Sequence, residues 1–129
     1  MFRLLARQLL VFGLVGIAQL LLDWGVFVAL THAGFAVVPA NVIGRISGAC
    51  LGFWLNGRYT FAAPDRPRLD REHMLRFAVA WTAMTVASSW LVALVAARFD
   101  LQAAWLAKPL VEALMAAIGF VVWRHWVFR

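Results

Sequence analysis

The segment GFWLNGRYTF at residues 52–61 closes the first half of the chain, and GFVVWRHWVF at residues 119–128 closes the second. The two segments are offset by 67 residues, and Ala107-Lys108 follows Ala40-Asn41 at the same offset. This pattern predicts an internal repeat, with one copy at about 9–61, a linker at 62–73 and a second copy at about 74–128. In membrane proteins built from repeats, substrate sites tend to form where the copies meet.

Composition predicts that the chain is a membrane protein. Hydrophobic residues make up 64% of the 129 residues, charged residues only 14%, and the mean hydropathy is +0.83. The apolar residues fall into four blocks near 9–30, 38–57, 74–97 and 105–123, each close to the ~20 residues that a helix needs to cross a bilayer. We therefore predict an all-α membrane protein in which four transmembrane helices form two parallel-repeat helical hairpins.

The cations predict the orientation of these helices. Those outside the spans lie in the N-terminus, the middle loop, the C-terminus and the adjoining helix ends, except for Arg98 in the second short loop. Because cytoplasmic loops carry an excess of Lys and Arg, both termini are predicted to be cytoplasmic. The net charge of +6 is explained by this asymmetry, so no nucleic-acid partner is expected. A single cysteine, Cys50, excludes an intrachain disulfide.

Four ionisable residues lie inside predicted spans: Asp23, Arg45, Lys108 and Glu112. Such a residue costs about 2.5 kcal/mol or more on insertion scales, so it usually has a partner or lines a wet cavity. Asp23 and Arg45 lie equally far from the first turn, which predicts an ion pair between them. Lys108 and Glu112 are four residues apart and share a helix face, and Lys108 is shallow enough to reach outward.

Uncharged polar residues extend these faces. Gln19 lies four residues before Asp23, Asn41 and Asn56 follow the stripe of Arg45, and Thr82, Thr85 and Ser89 recur on span three. Together with the charged residues they predict a polar groove inside the apolar bundle, although the charges could instead only lock the bundle. Gly44, Gly48 and Gly52 form a small-residue ridge that would pack within the monomer or form a homodimer face.

Arginines and aromatic residues end the second and fourth spans. Arg58 and Arg124 reach the same membrane face if the copies are parallel, and two guanidinium groups there could bind a lipid phosphate. The alternative is ordinary anchoring by an aromatic belt. No nucleophile–base, paired-carboxylate, phosphate-loop or metal-ligand pattern is evident, so neither an enzyme nor a cofactor is expected.

The chain resembles the GtrA-like proteins over almost its whole length. Asn56-Gly57-Arg58-Tyr59-Thr60-Phe61 is similar to their Asn-Arg-Arg-Trp-Val-Phe closing motif, with Gly57 departing from it. Residues 123–128 match its second occurrence, where Trp123 replaces Asn and His125 replaces the second Arg. The resemblance implies a flippase for a polyprenyl-phosphate-linked monosaccharide in the bacterial inner membrane, serving cell-surface polysaccharide synthesis.

In that scheme Arg58 and Arg124 bind the phosphate first, and Arg45 or Lys108 receives it partway across. Gln19, Asp23, Asn41, Asn56 and Glu112 contact the sugar. Two other functions stay open: a membrane adapter that recruits a glycosyltransferase, and a small proton-coupled exporter. A homodimer is expected because four helices are few to enclose a passage for a sugar.

Overall fold

The computed structural model describes residues 2–55, 71–122 and 125–126. It contains four α-helices in this part of the chain: α1 Phe2–His32, α2 Val37–Leu55, α3 Arg71–Arg98 and α4 Leu101–Val122. All four are long and apolar enough to cross a membrane. The predicted all-α class and the four spans are confirmed. The α1 helix begins seven residues earlier than predicted; at 31 residues it is about 46 Å long, so its first turns extend past ~30 Å of hydrocarbon.

Two short turns connect the helices within each hairpin. The α1 helix ends in a Schellman motif, in which Gly34 N–H donates to Thr31 O at 3.1 Å and Phe35 N–H donates to Leu30 O at 3.0 Å. Gly34 adopts φ 105°, a conformation that favours glycine. In the second hairpin the Asp100 carboxylate caps α4 by accepting from Ala103 N–H at 2.7 Å. Both turns lie at one end of the bundle, called here the hairpin end; the opposite end is the terminal end.

The helices form a ring in chain order. Each packs against its sequence neighbours, α4 also packs against α1, and within the described ranges the backbones of the diagonal pairs α1/α3 and α2/α4 do not approach closely. The first helices of the two copies thus occupy one diagonal and the second helices the other. This arrangement is the one that a twofold axis along the bundle produces from parallel repeats.

The small-residue ridge of α2 packs inside the monomer. Gly44, Gly48 and Gly52 are buried against α1, where a Cβ at Gly48 would stand 2.9 Å from Gln19 O. The ridge therefore lets two backbones approach closely, as such ridges do in membranes. Because α1 covers it, the suggestion that this ridge forms a homodimer face is wrong, and a homodimer stays a prediction that would need another surface.

Apolar side chains dominate the outer surface. Large hydrophobic residues such as Leu14, Trp90, Leu106 and Leu110 are exposed, whereas Phe27, Ala40, Val92 and Ala104 form a buried apolar cluster near the hairpin end. Since lipid tails are as apolar as leucine, this exposure carries no penalty in a bilayer. Beside such apolar clusters, the described interior contains buried polar residues.

Candidate functional site

Eight buried polar residues meet in the middle of the ring, and all four helices contribute to them. This polar cluster consists of Asp23, Asn41, Arg45, Thr85, Ser88, Ser89, Lys108 and Glu112. With two positive and two negative side chains, it is neutral overall. Groups of this kind inside a membrane are expensive unless they satisfy one another.

The ion pairs join the two repeats. Arg45 Nη1 donates to Glu112 Oε2, and Lys108 Nζ lies 3.0 Å from Asp23 Oδ1. The predicted pair between Asp23 and Arg45 is wrong, because within the described ranges no ion pair joins them. Asp23 packs on Gly44, and Arg45 is one residue further along the helix. Successive side chains of an α-helix point about 100° apart, so Arg45 points towards α3 and α4.

Lys108 occupies the centre of the polar cluster. Its side chain is fully buried, so it does not reach outward as the sequence suggested. Its ammonium donates to Asn41 Oδ1 at 2.5 Å and to Glu112 Oε1 at 3.2 Å, and it lies 5.2 Å from the centre of the Phe27 ring. The expected proximity of Lys108 and Glu112 on one helix face is observed.

Equivalent positions of the two repeats bond to each other at the axis. Arg45 and Glu112 are 67 residues apart, and so are Asn41 and Lys108. These bonds span the α2/α4 diagonal, which the backbones leave open. The central axis of the bundle is therefore built from repeat counterparts, at the place where sequence reasoning located the charged residues.

Hydroxyl groups of α3 add further hydrogen bonds to the polar cluster. Arg45 Nε donates to Thr85 Oγ1 at 2.8 Å, Ser88 Oγ donates to Glu112 Oε1 at 2.6 Å, and Asn41 Nδ2 donates to Ser89 Oγ at 2.9 Å. Sequence reasoning missed Ser88, although its spacing of three from Thr85 places both on one face. Thr82, which was expected on that face, is exposed.

One buried acceptor in the polar cluster lacks a hydrogen bond. Asp23 Oδ1 lies 3.0 Å from the Lys108 ammonium, yet no donor meets hydrogen-bond geometry at that oxygen within the described residues. The contact therefore neutralises the charge without satisfying the lone pairs.

The polar cluster is closed in this structure. Its members are at most 9% exposed, and neither of the two main cavities of the described part is lined by any of them. Gln19 lies nearer the terminal end, with its amide over Gly52. Four of the residues predicted to line a groove therefore form a compact polar core here, namely Asp23, Asn41, Arg45 and Glu112. Contact of any predicted groove residue with a sugar stays a prediction.

Two tryptophans form hydrogen bonds between α1 and α4 near the hairpin end. Pro109 has no N–H, so the carbonyl of Trp105 lacks its helical donor. Trp24 Nε1 donates to that oxygen at 2.7 Å, and Trp105 Nε1 donates to Thr31 Oγ1 at 2.8 Å. We call this set the tryptophan latch. The sequence contained its signal in Pro109, which frees the carbonyl four residues earlier.

Arg58 and Arg124, predicted to make the first contact with the phosphate, lie outside the described residues, and so does Asn56, predicted to contact the sugar. A different cation of the terminal end, Arg76, is described. It pairs with Glu72 at 2.5 Å, donates to Trp126 O at 3.0 Å and lies 6.0 Å from the centre of the Trp126 ring.

Comparison with known families gives one match: residues 11–128 match the family described as GtrA/DPMS, transmembrane domain. The match covers both repeats and all eight residues of the polar cluster. Searches of curated proteins and of solved structures return no match.

Proposed function

Because this chain belongs to the family of GtrA/DPMS transmembrane domains, we propose that it is a translocase for a polyprenyl-phosphate-linked monosaccharide. It would move this lipid from the cytoplasmic to the outer leaflet of the bacterial inner membrane, with both of its termini in the cytoplasm. The product would supply cell-surface polysaccharide synthesis. The observation that supports the proposal is the neutral, buried polar cluster on the axis between the two repeats.

The energetics of the cluster favour a functional role over a purely structural one. Replacing a buried ion pair by well-packed apolar residues is often neutral or stabilising by about 1–4 kcal/mol. Stability alone therefore gives little reason to retain Arg45, Lys108 and their two carboxylate partners. A polar head group crossing hydrocarbon, however, needs hydrogen-bond donors and acceptors at mid-depth, because each unsatisfied polar group costs several kcal/mol there.

The cluster has the chemistry to exchange its internal bonds for bonds to a head group. Arg45 offers a planar guanidinium that can bind phosphate oxygens bidentately, and Lys108 offers a second positive charge nearby. A phosphate entering here would take the positions that Glu112 and Asp23 now hold. The released carboxylates and Asn41 would then accept from sugar hydroxyls. Arg58 and Arg124 at the terminal end would make the first contact with the phosphate.

A double substitution separates transport from bundle locking. Arg45→Met with Glu112→Met removes one ion pair, keeps the cluster neutral and replaces it by apolar volume, so the bundle should still fold. We expect the initial rate of flipping of a fluorescent undecaprenyl-phosphate sugar in proteoliposomes to fall ~10-fold or more, since a charge-assisted hydrogen bond contributes about 1.5–3 kcal/mol. The matched control places methionines at the lipid-facing Leu110 and Leu114.

Two outcomes would oppose the proposal. Wild-type flipping in the correctly inserted Arg45→Met, Glu112→Met variant would assign the cluster a locking role only. Two results together would favour the adapter function. The wild-type chain would not flip the lipid, and a glycosyltransferase would be captured both by the wild-type chain and by this variant. On the transport proposal the protein is not an enzyme and needs no cofactor.

A further inference from the structure

The two repeats differ in how tightly their helices pack. At offset 67 the ridge residues Gly44 and Gly48 of α2 correspond to Val111 and Met115 of α4, and only Gly52 keeps a glycine counterpart, Gly119. A Cβ at Gly44 or Gly48 would stand within 3 Å of α1 atoms, so the first hairpin is tightly packed along this ridge. In the second hairpin an opening lies between α3 and α4, and Met115 is part of its lining.

This opening is a furrow of about 310 Å³ between α3 and α4 on the lipid-facing side of the terminal half. We call it the α3–α4 furrow. Its lining is apolar and consists of Val79, Ala80, Ala83, Met84, Ala87, Met115, Ile118, Val122 and Trp126. Alanines form its floor on α3, and two methionines with flexible, polarisable side chains border it. The described part of this surface is almost entirely apolar and fits a branched hydrocarbon chain.

A cation stands at one end of the furrow. Arg76 lies one turn before the first lining residues of α3, and its guanidinium is held against Trp126, which itself lines the furrow. The side chain is 30% exposed, so N–H groups remain accessible beside Glu72. A ligand that matches both features has an anionic group joined directly to a long apolar chain.

We propose that the α3–α4 furrow binds the prenyl chain of the lipid substrate next to its phosphate, with Arg76 contacting that phosphate. This inference rests on the proposed function, because that function supplies the phosphate-linked prenyl lipid. It assigns recognition of the lipid part to the second repeat alone. The difference between Gly48 of α2 and its counterpart Met115 of α4 would thus serve lipid binding in the second repeat.

Photo-crosslinking tests this assignment directly. An undecaprenyl phosphate carrying a diazirine in the isoprene units nearest the phosphate is bound to the full chain in nanodiscs, irradiated and mapped by mass spectrometry. We expect adducts concentrated on 79–87 and 115–122, and loss of most of them in Ala83→Trp, which fills the furrow. The matched control is Ala117→Trp, at an exposed position of α4 outside the lining.

Each alternative result would overturn the furrow assignment. Adducts spread evenly over the lipid-facing surface, or unchanged in a correctly folded Ala83→Trp variant, would show that the furrow does not hold the chain. Displacement of the adducts by equimolar phosphatidylglycerol would show an ordinary lipid groove. Conformation is checked by the elution profile, and Ala83→Leu provides a smaller filling residue if the tryptophan prevents folding.

The test separates failure of this inference from failure of the proposed function. Undiminished flipping in Ala83→Trp together with unchanged adducts rejects the furrow and leaves translocation intact. Furrow-specific adducts without any flipping by the wild-type chain support the binding site and reject translocation.

Discussion

Replacing Trp24 by phenylalanine removes a single hydrogen bond of the tryptophan latch while keeping an aromatic ring in place. The Trp105 carbonyl then has neither its helical donor, which Pro109 cannot supply, nor the Trp24 indole at 2.7 Å. An unsatisfied buried acceptor costs about 1–3 kcal/mol, and interhelical hydrogen bonds in membranes average ~0.6 kcal/mol. We therefore expect the free energy of unfolding to fall by about 1 kcal/mol.

A double-mutant cycle isolates that bond. Pro109→Ala restores a backbone N–H four residues after Trp105, so Trp24→Phe in this background should cost less than half as much. Unfolding is followed by circular dichroism during titration with sodium dodecyl sulfate in mixed micelles. The matched control is Trp90→Phe, at the counterpart of Trp24 in the second repeat, which is 64% exposed and should change little. Equal costs of Trp24→Phe in the two backgrounds would refute the reasoning.

Three further predictions concern packing and charge, and the same unfolding measurement checks them. Gly44→Ala should lower the free energy of unfolding by about 1–3 kcal/mol, because the new Cβ would stand 2.6 Å from Asp23 Oδ1 and 2.7 Å from Asp23 O. The control Gly25→Ala meets nothing within 4 Å and should be neutral or stabilising. Equal effects of the two substitutions would contradict the close packing of α1 on α2. Lys108→Met should cost about 3–5 kcal/mol by leaving two carboxylates with one cation, and adding Asp23→Asn should recover part of this loss; no recovery would argue against the pairing of those two residues. Ser88→Ala should cost about 1.5–3 kcal/mol because a donor to Glu112 is lost, whereas Ser47→Ala removes a hydroxyl that bonds to Ile43 O in its own helix and should cost less than 1 kcal/mol.

The sequence determined position along the bundle axis more reliably than direction around a helix. Asp23 and Arg45 were placed at one depth by counting residues from the turn, and both do belong to the polar cluster. Their pairing could not be predicted in the same way, because one residue of difference along α2 turns a side chain by about 100°. Gly44, and not the adjacent Arg45, faces Asp23 because α1 packs on the glycine ridge. This packing is a tertiary contact, which residue spacing does not reveal.

Uncharged residues were harder to assign than charged ones. A charge inside a span is costly enough to demand a partner, so Lys108 and Glu112 could be grouped from composition alone. Serine is small enough to pack anywhere in a membrane helix, so nothing in the sequence distinguished the buried Ser88 from the part-buried Ser47. The α3–α4 furrow could not be predicted from the sequence either. It depends on the distance between α3 and α4, and that distance is set by how their side chains pack.

The bonds on the axis explain why two unlike copies are needed in one chain. A twofold axis brings each position of α2 opposite its counterpart in α4, as Arg45–Glu112 and Asn41–Lys108 demonstrate. Two identical hairpins would place arginine against arginine at that point, and like charges in a low-dielectric interior repel strongly. Because the two copies have diverged, Arg45 meets Glu112 at that point, and the contact is a charge-assisted hydrogen bond. Divergence at these positions thus lets opposite charges meet on the axis, and the same divergence, at Met115, places a flexible side chain in the lining of the α3–α4 furrow.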